Sequence, residues 1–244
     1  MTHYTSAGTR PLSRLGSWSR SGPLYVEPRL SALGVRHGVT TRELGNMKEA
    51  SARRRALAAA GIAGDALILK QVHGTAIALA AAETGSPAAD GWLCARAGVT
   101  PAVYVADCLP IFLWDRGGSA VGVFHAGWRG LAAGMPRLAA RAFGRFGLEP
   151  ESLAAAVGPH VGACCYRVGP DVASKFRPAM SRDGRLDLGE EARLQLEESG
   201  LAPAEISVSA ACTACSPGEF FSYRRERADL RMLAFASLPE PHGI

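Results

Sequence analysis

Residues Ser119–Gly130, SAVGVFHAGWRG, decide how the rest of the chain is read. Ala120, Val121, Val123 and Phe124 form an apolar run with the length and β-branched content of a buried strand. The run ends at His125, and a glycine-flanked turn carrying Trp128 and Arg129 follows. Beyond the turn, Leu131, Met135, Leu138, Ala139, Ala142 and Phe146 recur at helical spacing, which predicts a helix over 131–146. A histidine at the carboxyl end of a strand and an arginine at a helix entrance occupy the edge where α/β sheets bind ligands, and helix N-termini attract anions. This strand–turn–helix unit is the expected floor of an active site.

Working outward, short apolar runs alternate with helical segments. Strands are expected at 66–72, 75–81, 99–106, 110–114, 152–157 and 206–210. Helices are expected at 47–60, with Asn46 as cap, at 171–176 and at 188–199. In the last of these Leu188, Ala192, Leu194 and Leu196 read as core, and Glu190, Glu191, Arg193, Glu197 and Glu198 as the wet face. The pattern is that of a single mixed α/β domain over residues 23–244. Residues 1–22, rich in Ser, Gly and Arg, read as a disordered tail.

Composition excludes several classes. The chain has 244 residues, 48% hydrophobic and 20% charged, enough for a sizeable core. No apolar stretch approaches the roughly 18 residues of a membrane span. The N-terminus lacks a secretory signal core, so a cytoplasmic protein is expected. The net charge of +5 is scattered, and its densest run, Arg53–Arg55, lies on a helix face, which argues against nucleic acid.

Three strands end in residues that bind metals: His73 in QVHG, Cys108 in ADC and His125 in FHAGWRG. Imidazole and thiolate are zinc donors, and three of them leave the open position of a catalytic zinc. Ordinary hydrogen-bonded histidines and a small buried Cys fit the same spacing. Arg129, Arg224 and Arg225 are candidate anion contacts, with plain solvation the preferred reading for Arg225. Asp90 and Asp107 flank turns beside the site and also suit turn caps. Cys212 and Cys215 in CTAC lack a well-spaced second pair, because Cys164 and Cys165 are adjacent. Free thiols are therefore expected there, with a redox dithiol as the minor alternative.

QVHG, ADGW, VADC, HAGWRG, VGPHVGACCYRVG and FFSYRR, in that order across residues 65–227, make the chain resemble the YfiH-like "laccase-domain" family. That resemblance implies an α+β sandwich with mixed β-sheets flanked by helices. It implies a zinc-dependent purine nucleoside phosphorylase with adenosine deaminase activity, acting on a purine nucleoside and phosphate. It also implies Zn2+ held by His73, Cys108 and His125; the residues themselves add Arg129, Asp90 and Arg224 as expected substrate contacts, and a monomer is the favoured state. The chain departs from the family pattern at Arg167, where an acidic residue is usual, at Tyr223 in place of His, and in its short, altered N-terminal segment HGVTTRELGNMKEA. The family's older laccase name conflicts with composition. A multicopper centre needs roughly ten histidines, and this chain has six. A Cys-His hydrolase or amidase using Cys108, of the kind that edits cell-wall precursors, and a non-catalytic zinc-stabilised binding protein are the rival readings.

Overall fold

The run that opened the sequence reading is a strand, Val121–Ala126, with every residue buried. It lies inside a six-stranded sheet of the computed structural model, which describes residues 18–80 and 85–240. In chain order the elements are β1 (Ser19–Ser21), β2 (Leu24–Val26), α1 (Pro28–Ala32), β3 (Arg36–Thr40), α2 (Ala50–Ala59), β4 (Leu67–Ile68), β5 (Ile77–Leu79), β6 (Gly91–Cys94), β7 (Pro101–Val105), β8 (Leu109–Asp115) and β9 (Val121–Ala126). They continue with α3 (Trp128–Ala132), α4 (Met135–Ala142), β10 (Leu153–Val157), α5 (Pro170–Ala173), β11 (Ser181–Arg182), β12 (Arg185–Leu186), α6 (Leu188–Glu197), β13 (Ile206–Val208), α7 (Tyr223–Glu226) and β14 (Met232–Ser237).

One sheet has the order β1-β2-β3-β14-β7-β4 and the other β13-β10-β8-β9-β6-β5. Both are mixed: β4 runs parallel to β7, β5 to β6 and β10 to β13, while the remaining pairs are antiparallel. Because side chains alternate along a strand, each sheet serves two cores. Trp92, Phe112, Trp114, Val121 and Val123 of the second sheet meet Val103, Val105, Met232 and Ala234 of the first. The opposite face of the second sheet, with Leu113, Phe124 and Ala155, is covered by Leu131, Met135, Ala139, Ala192 and Leu196 of α3, α4 and α6. The outer face of the first sheet packs Ala102, Leu233 and Phe235 on Ala52, Ala56 and Leu57 of α2. The result is a helix–sheet–sheet–helix stack, the mixed sandwich expected from the sequence.

Several local expectations change. The helix expected over 131–146 begins earlier, at Trp128, and breaks at Gly134, whose φ of +84° closes α3 after five residues. So short a helix cannot carry the anion-binding argument first made for it, since most of its N–H groups are unpaired end groups of any single turn. Asn46 does not cap α2. Its Oδ1 accepts from the backbone N–H groups of Lys48 and Arg231 instead. On α6, Glu191 and Arg193 are buried rather than wet. Arg193 is held by Glu190 at 2.8 Å, and Glu191 by Arg177 at 3.0 Å and Gln195 at 2.7 Å. Ser19–Ser21, inside the expected tail, pairs with Leu24–Val26; residues 1–17 lie outside the described residues. No helix among the described residues is long and apolar enough to cross a membrane.

The fold places the site through its crossings. The chain passes from the first sheet to the second between β4 and β5, a connection that carries His73, and again between β7 and β8, a turn that carries Asp107 and Cys108. His125 sits at the end of β9 in the second sheet. His73 and Asp107 have φ of +59° and +81°, backbone conformations that side chains rarely adopt and that cluster at functional sites.

Candidate active site

The ligating atoms of His73, Cys108 and His125 lie within 4.8 Å of one another. The two imidazole rings stand edge to face, 4.9 Å between centroids. His73 is exposed, Cys108 half-buried and His125 buried, so the trio forms the floor of an open cleft. The structure brings together all three of the residues the sequence singled out as metal ligands.

Asp90 organises two of them. Its Oδ1 accepts from His125 Nδ1 at 2.9 Å and from the His73 backbone N–H at 2.9 Å. Its Oδ2 accepts from the N–H groups of Gly74 at 2.7 Å and Val72 at 3.2 Å. Fully buried and engaged through both oxygens, Asp90 cannot meet a substrate, which corrects the expectation of a substrate contact. It is a positioning residue: its bond to His125 Nδ1 leaves Nε2 as the nitrogen free to take a ligand, the arrangement typical of metal-bound histidine. Burial pushes the Asp90 carboxyl up, but the His125 and Gly74 hydrogen bonds outweigh it and hold the group below the usual carboxylate range.

Asp107 does the same for the opposite wall. Its Oδ1 accepts from the Thr213 hydroxyl at 2.6 Å, and its Oδ2 accepts from the Ser222 hydroxyl at 3.0 Å and the Arg224 backbone N–H at 2.7 Å. Two glycines of HAGWRG are set by close approach. A Cβ on Gly127 would meet Cys108 Sγ and His73 Cδ2, each at 3.1 Å, and one on Gly130 would meet the Gly74 carbonyl at 2.8 Å.

Without a metal, Cys108 and His125 polarise each other. Burial raises the thiol, but His125 and His73 outweigh it and bring its pKa to about 6. Burial lowers the imidazole, but Cys108 and Asp90 outweigh it and bring His125 to about 9. A thiolate beside two imidazoles is the donor set zinc prefers, with room for a further ligand on the cleft side. The residues present therefore fit a zinc ion.

Above this floor opens a cavity of about 610 Å³, within the size range of small-molecule sites. Its walls include Tyr104 and Tyr223, Gln71, and the cations Lys48 and Arg231. Gln71 belongs to the scaffold, because its amide pairs with both backbone groups of Tyr104, at 2.7 and 2.9 Å. Arg129 is exposed, its guanidinium over the Trp128 ring at 4.3 Å. The Arg224 guanidinium lies over Tyr166 at 4.7 Å. Tyr166, raised to about 12 by burial and by Cys108, also feels the charges of Arg224 and Arg129. Both arginines are thus close to Tyr166, and neither is among the residues that line the cavity with Lys48 and Arg231. Arg225 is not a solvated surface group: it donates to the carbonyls of Thr213, Ala214 and Phe220. Sequence reading missed Lys48, Tyr104 and Arg231 as cleft walls, since each comes from an element distant in sequence from the histidines.

A family model described as multi-copper polyphenol oxidoreductase laccase matches residues 37–239. The chain belongs to that family. It is 36% identical over 201 residues, 78% of each chain, to a purine nucleoside phosphorylase of Deinococcus radiodurans. It is 37% identical over 166 residues, 62% of this chain and 61% of the relative, to the purine nucleoside phosphorylase YlmD of Geobacillus stearothermophilus. The crystal structure of that YlmD superposes with a TM-score of 0.80 at 29% identity, covering 92% of this chain and 100% of the other. The family membership agrees with the resemblance carried by the motifs.

Proposed function

We propose that the chain is a zinc-dependent purine nucleoside phosphorylase. It converts adenosine, inosine, guanosine or methylthioadenosine, with phosphate, to the free base and the sugar 1-phosphate, and it deaminates adenosine at the same centre. The observation that carries this reading is the convergence of His73, Cys108 and His125 on the floor of a nucleoside-sized cleft. The reaction class comes from the relatives, which are purine nucleoside phosphorylases by name.

His73, Cys108 and His125 hold the zinc, and Asp90 fixes the ring of His125. Bound zinc supplies a Lewis acid for an anionic oxygen and, for deamination, an acidified water. The ring faces of Tyr104 and of Tyr223, the latter 49% exposed, flank a purine. Lys48 and Arg231 in the cleft, with Arg129 and Arg224 near Tyr166, offset the charge of phosphate. A phosphate oxygen bonds to the anomeric carbon as its bond to the purine nitrogen breaks. The electron pair leaves with the base, which takes up a proton. Asp90 is not the proton donor, since both its oxygens are occupied. The reading includes a monomeric, cytoplasmic enzyme.

Copper oxidase chemistry does not fit. Among the described residues the remaining histidines do not join the trio: His37 bonds to Glu27 and Val35, and His160 to Gly158.

The test is to incubate zinc-loaded protein with adenosine and inosine, with and without phosphate, and to follow base and sugar 1-phosphate by chromatography. Silence on every purine nucleoside overturns the proposal. The second reading, a Cys-His hydrolase or amidase, is favoured by the thiolate–imidazolium character of Cys108 and His125. It requires metal-free protein to be active and to lose activity on alkylation of Cys108.

A further inference from the structure

A second cluster of ligating side chains, of four residues, lies behind the Asp107 wall. Cys164 and Cys165, in the turn after Val161, face Cys212 and Cys215 of CTAC, and all four sulfurs lie within 4.8 Å of one another. Cys215 Sγ is 3.3 Å from that of Cys165 and 3.5 Å from that of Cys164. All four are free cysteines, as expected for CTAC, but the expectation that Cys164 and Cys165 are too poorly spaced to form the second pair fails for a topological reason. The two segments lie side by side through a bridge between His160 and Cys212 and the bond from Thr213 N–H to the His160 carbonyl, 3.0 Å.

We propose that Cys164, Cys165, Cys212 and Cys215 form a second metal site, a structural tetrathiolate site for one zinc ion, distinct from the centre at His73, Cys108 and His125. Tetrahedral zinc with bonds of about 2.3 Å places its sulfurs about 3.8 Å apart. The two closest separations are a few tenths of an ångström shorter than that, and all four sulfurs lie within 4.8 Å of one another. An iron–sulfur cluster distributes its cysteines over several irons and needs a wider set. A disulfide would use two sulfurs and leave two others packed against it for no reason.

Three features complete the case. The Gly162 N–H donates to Cys212 Sγ at 3.2 Å, the kind of backbone bond that stabilises a thiolate. Four thiolates on a divalent ion carry two net negative charges. Arg185 donates to the Cys164 carbonyl at 2.9 Å, and Arg225 to the carbonyls inside CTAC at 2.8 and 3.0 Å, so two cations sit against that charge. As thiols the close pairs can share S–H hydrogen bonds; deprotonated sulfurs this close need a cation between them, and metal binding releases the thiol protons. The clip joins chain segments about fifty residues apart, |i−j| being 50 and 51 for the two sulfur pairs. Thr213, between its cysteines, bonds to Asp107 beside Cys108. The site therefore braces one wall of the cleft.

The experiment removes the first centre and counts what remains. The full-length His73→Ala/Cys108→Ser variant is purified, reloaded with Zn2+ alone under reducing conditions, and dialysed. About one zinc per chain is expected, with an X-ray absorption shell of sulfur only at about 2.3 Å and a higher melting temperature than the stripped protein. Adding Cys212→Ser and Cys215→Ser should abolish both retention and the thermal shift. In the two-substitution variant, four equivalents of an organomercurial should displace the zinc without unfolding, a readout that does not depend on whether the quadruple variant folds. A variant that retains no zinc, a mixed nitrogen–sulfur shell, or a disulfide between these cysteines in the protein isolated without reductant overturns the proposal. None of these outcomes bears on phosphorolysis, so this inference and the proposed function fail separately.

Discussion

Asp90 Oδ1 lies 2.9 Å from Nδ1 of His125 and also accepts the backbone N–H of His73, so one buried oxygen aligns two residues of the proposed zinc centre. The other oxygen tightens the same turn through Gly74 and Val72. Asp90→Asn keeps the shape but replaces one acceptor oxygen with a donor that opposes these N–H groups. Zinc affinity should fall about 10–100-fold, the usual cost of losing such a partner. Asp90→Ala should also destabilise the protein by about 1–3 kcal/mol, because buried donors are left unpaired. Competition with a chromophoric chelator and thermal melts of both variants check this. Unchanged affinity in both would remove Asp90 from the site.

Gly127 offers a test through shape alone. An alanine there brings a methyl group to 3.1 Å from both Cys108 Sγ and His73 Cδ2. Overpacking of this kind costs about 1–3 kcal/mol, or about 10–100-fold if it falls on the metal centre. Gly127→Ala should lose that much zinc affinity and activity. Gly144→Ala, whose added methyl would meet nothing within 4 Å, should behave as wild type. Equal effects of the two would show that the close approach does not matter.

The legible and illegible parts of the sequence divide along a physical line. His73, Cys108 and His125 could be found because each follows an apolar run, and a strand end is a local signal. The sandwich was implied by the family motifs rather than by the strand itself, since a uniformly apolar run does not show that Val121 and Val123 face one core and Phe124 the other. What escaped depends on pairing across the chain. Glu191 and Arg193 read as solvated because their partners Arg177, Gln195 and Glu190 become visible only when α6 packs. Cys164 and Cys165 looked poorly spaced because spacing along the chain says nothing about the turn that brings CTAC to them. Arg225 looked like a surface charge because carbonyl acceptors have no sequence signature.

Cys108 gives a pH signature in metal-stripped protein. Its thiol is brought to about 6, against the push of burial, by His125 and His73. The thiolate is the reactive form, so alkylation speeds up as pH rises through the folded-state pKa. The rate with iodoacetamide should be half-maximal near pH 6, well below the ordinary thiol value of about 8.5. His125 is raised to about 9, so the imidazolium persists across that window and the thiolate keeps its partner. His125→Asn should move the midpoint up, and bound zinc should protect Cys108 altogether. Peptide mass spectrometry at each pH reads the site; a wild-type midpoint near the ordinary value refutes the pairing.

The two cations that line the cleft share one exposed carboxylate. Asp229 pairs with Lys48, and with Arg231 at 2.8 Å, and its own carboxyl is held below the usual range first by the Lys48 hydrogen bond. An incoming phosphate must compete with Asp229 for both. Arg231→Ala should therefore raise the KM for phosphate about two- to fivefold with kcat nearly kept, in line with the modest worth of partly exposed charge pairs. Asp229→Asn should lower that KM at low ionic strength, because it frees both cations. The gain should fade in high salt, where exposed charges are screened. Arg129→Ala, stacked on Trp128 outside the cleft lining, should change the phosphate KM less than Arg231→Ala does. The reverse order, measured by initial rates at varied phosphate and saturating nucleoside, would place the phosphate nearer Arg129 than Arg231.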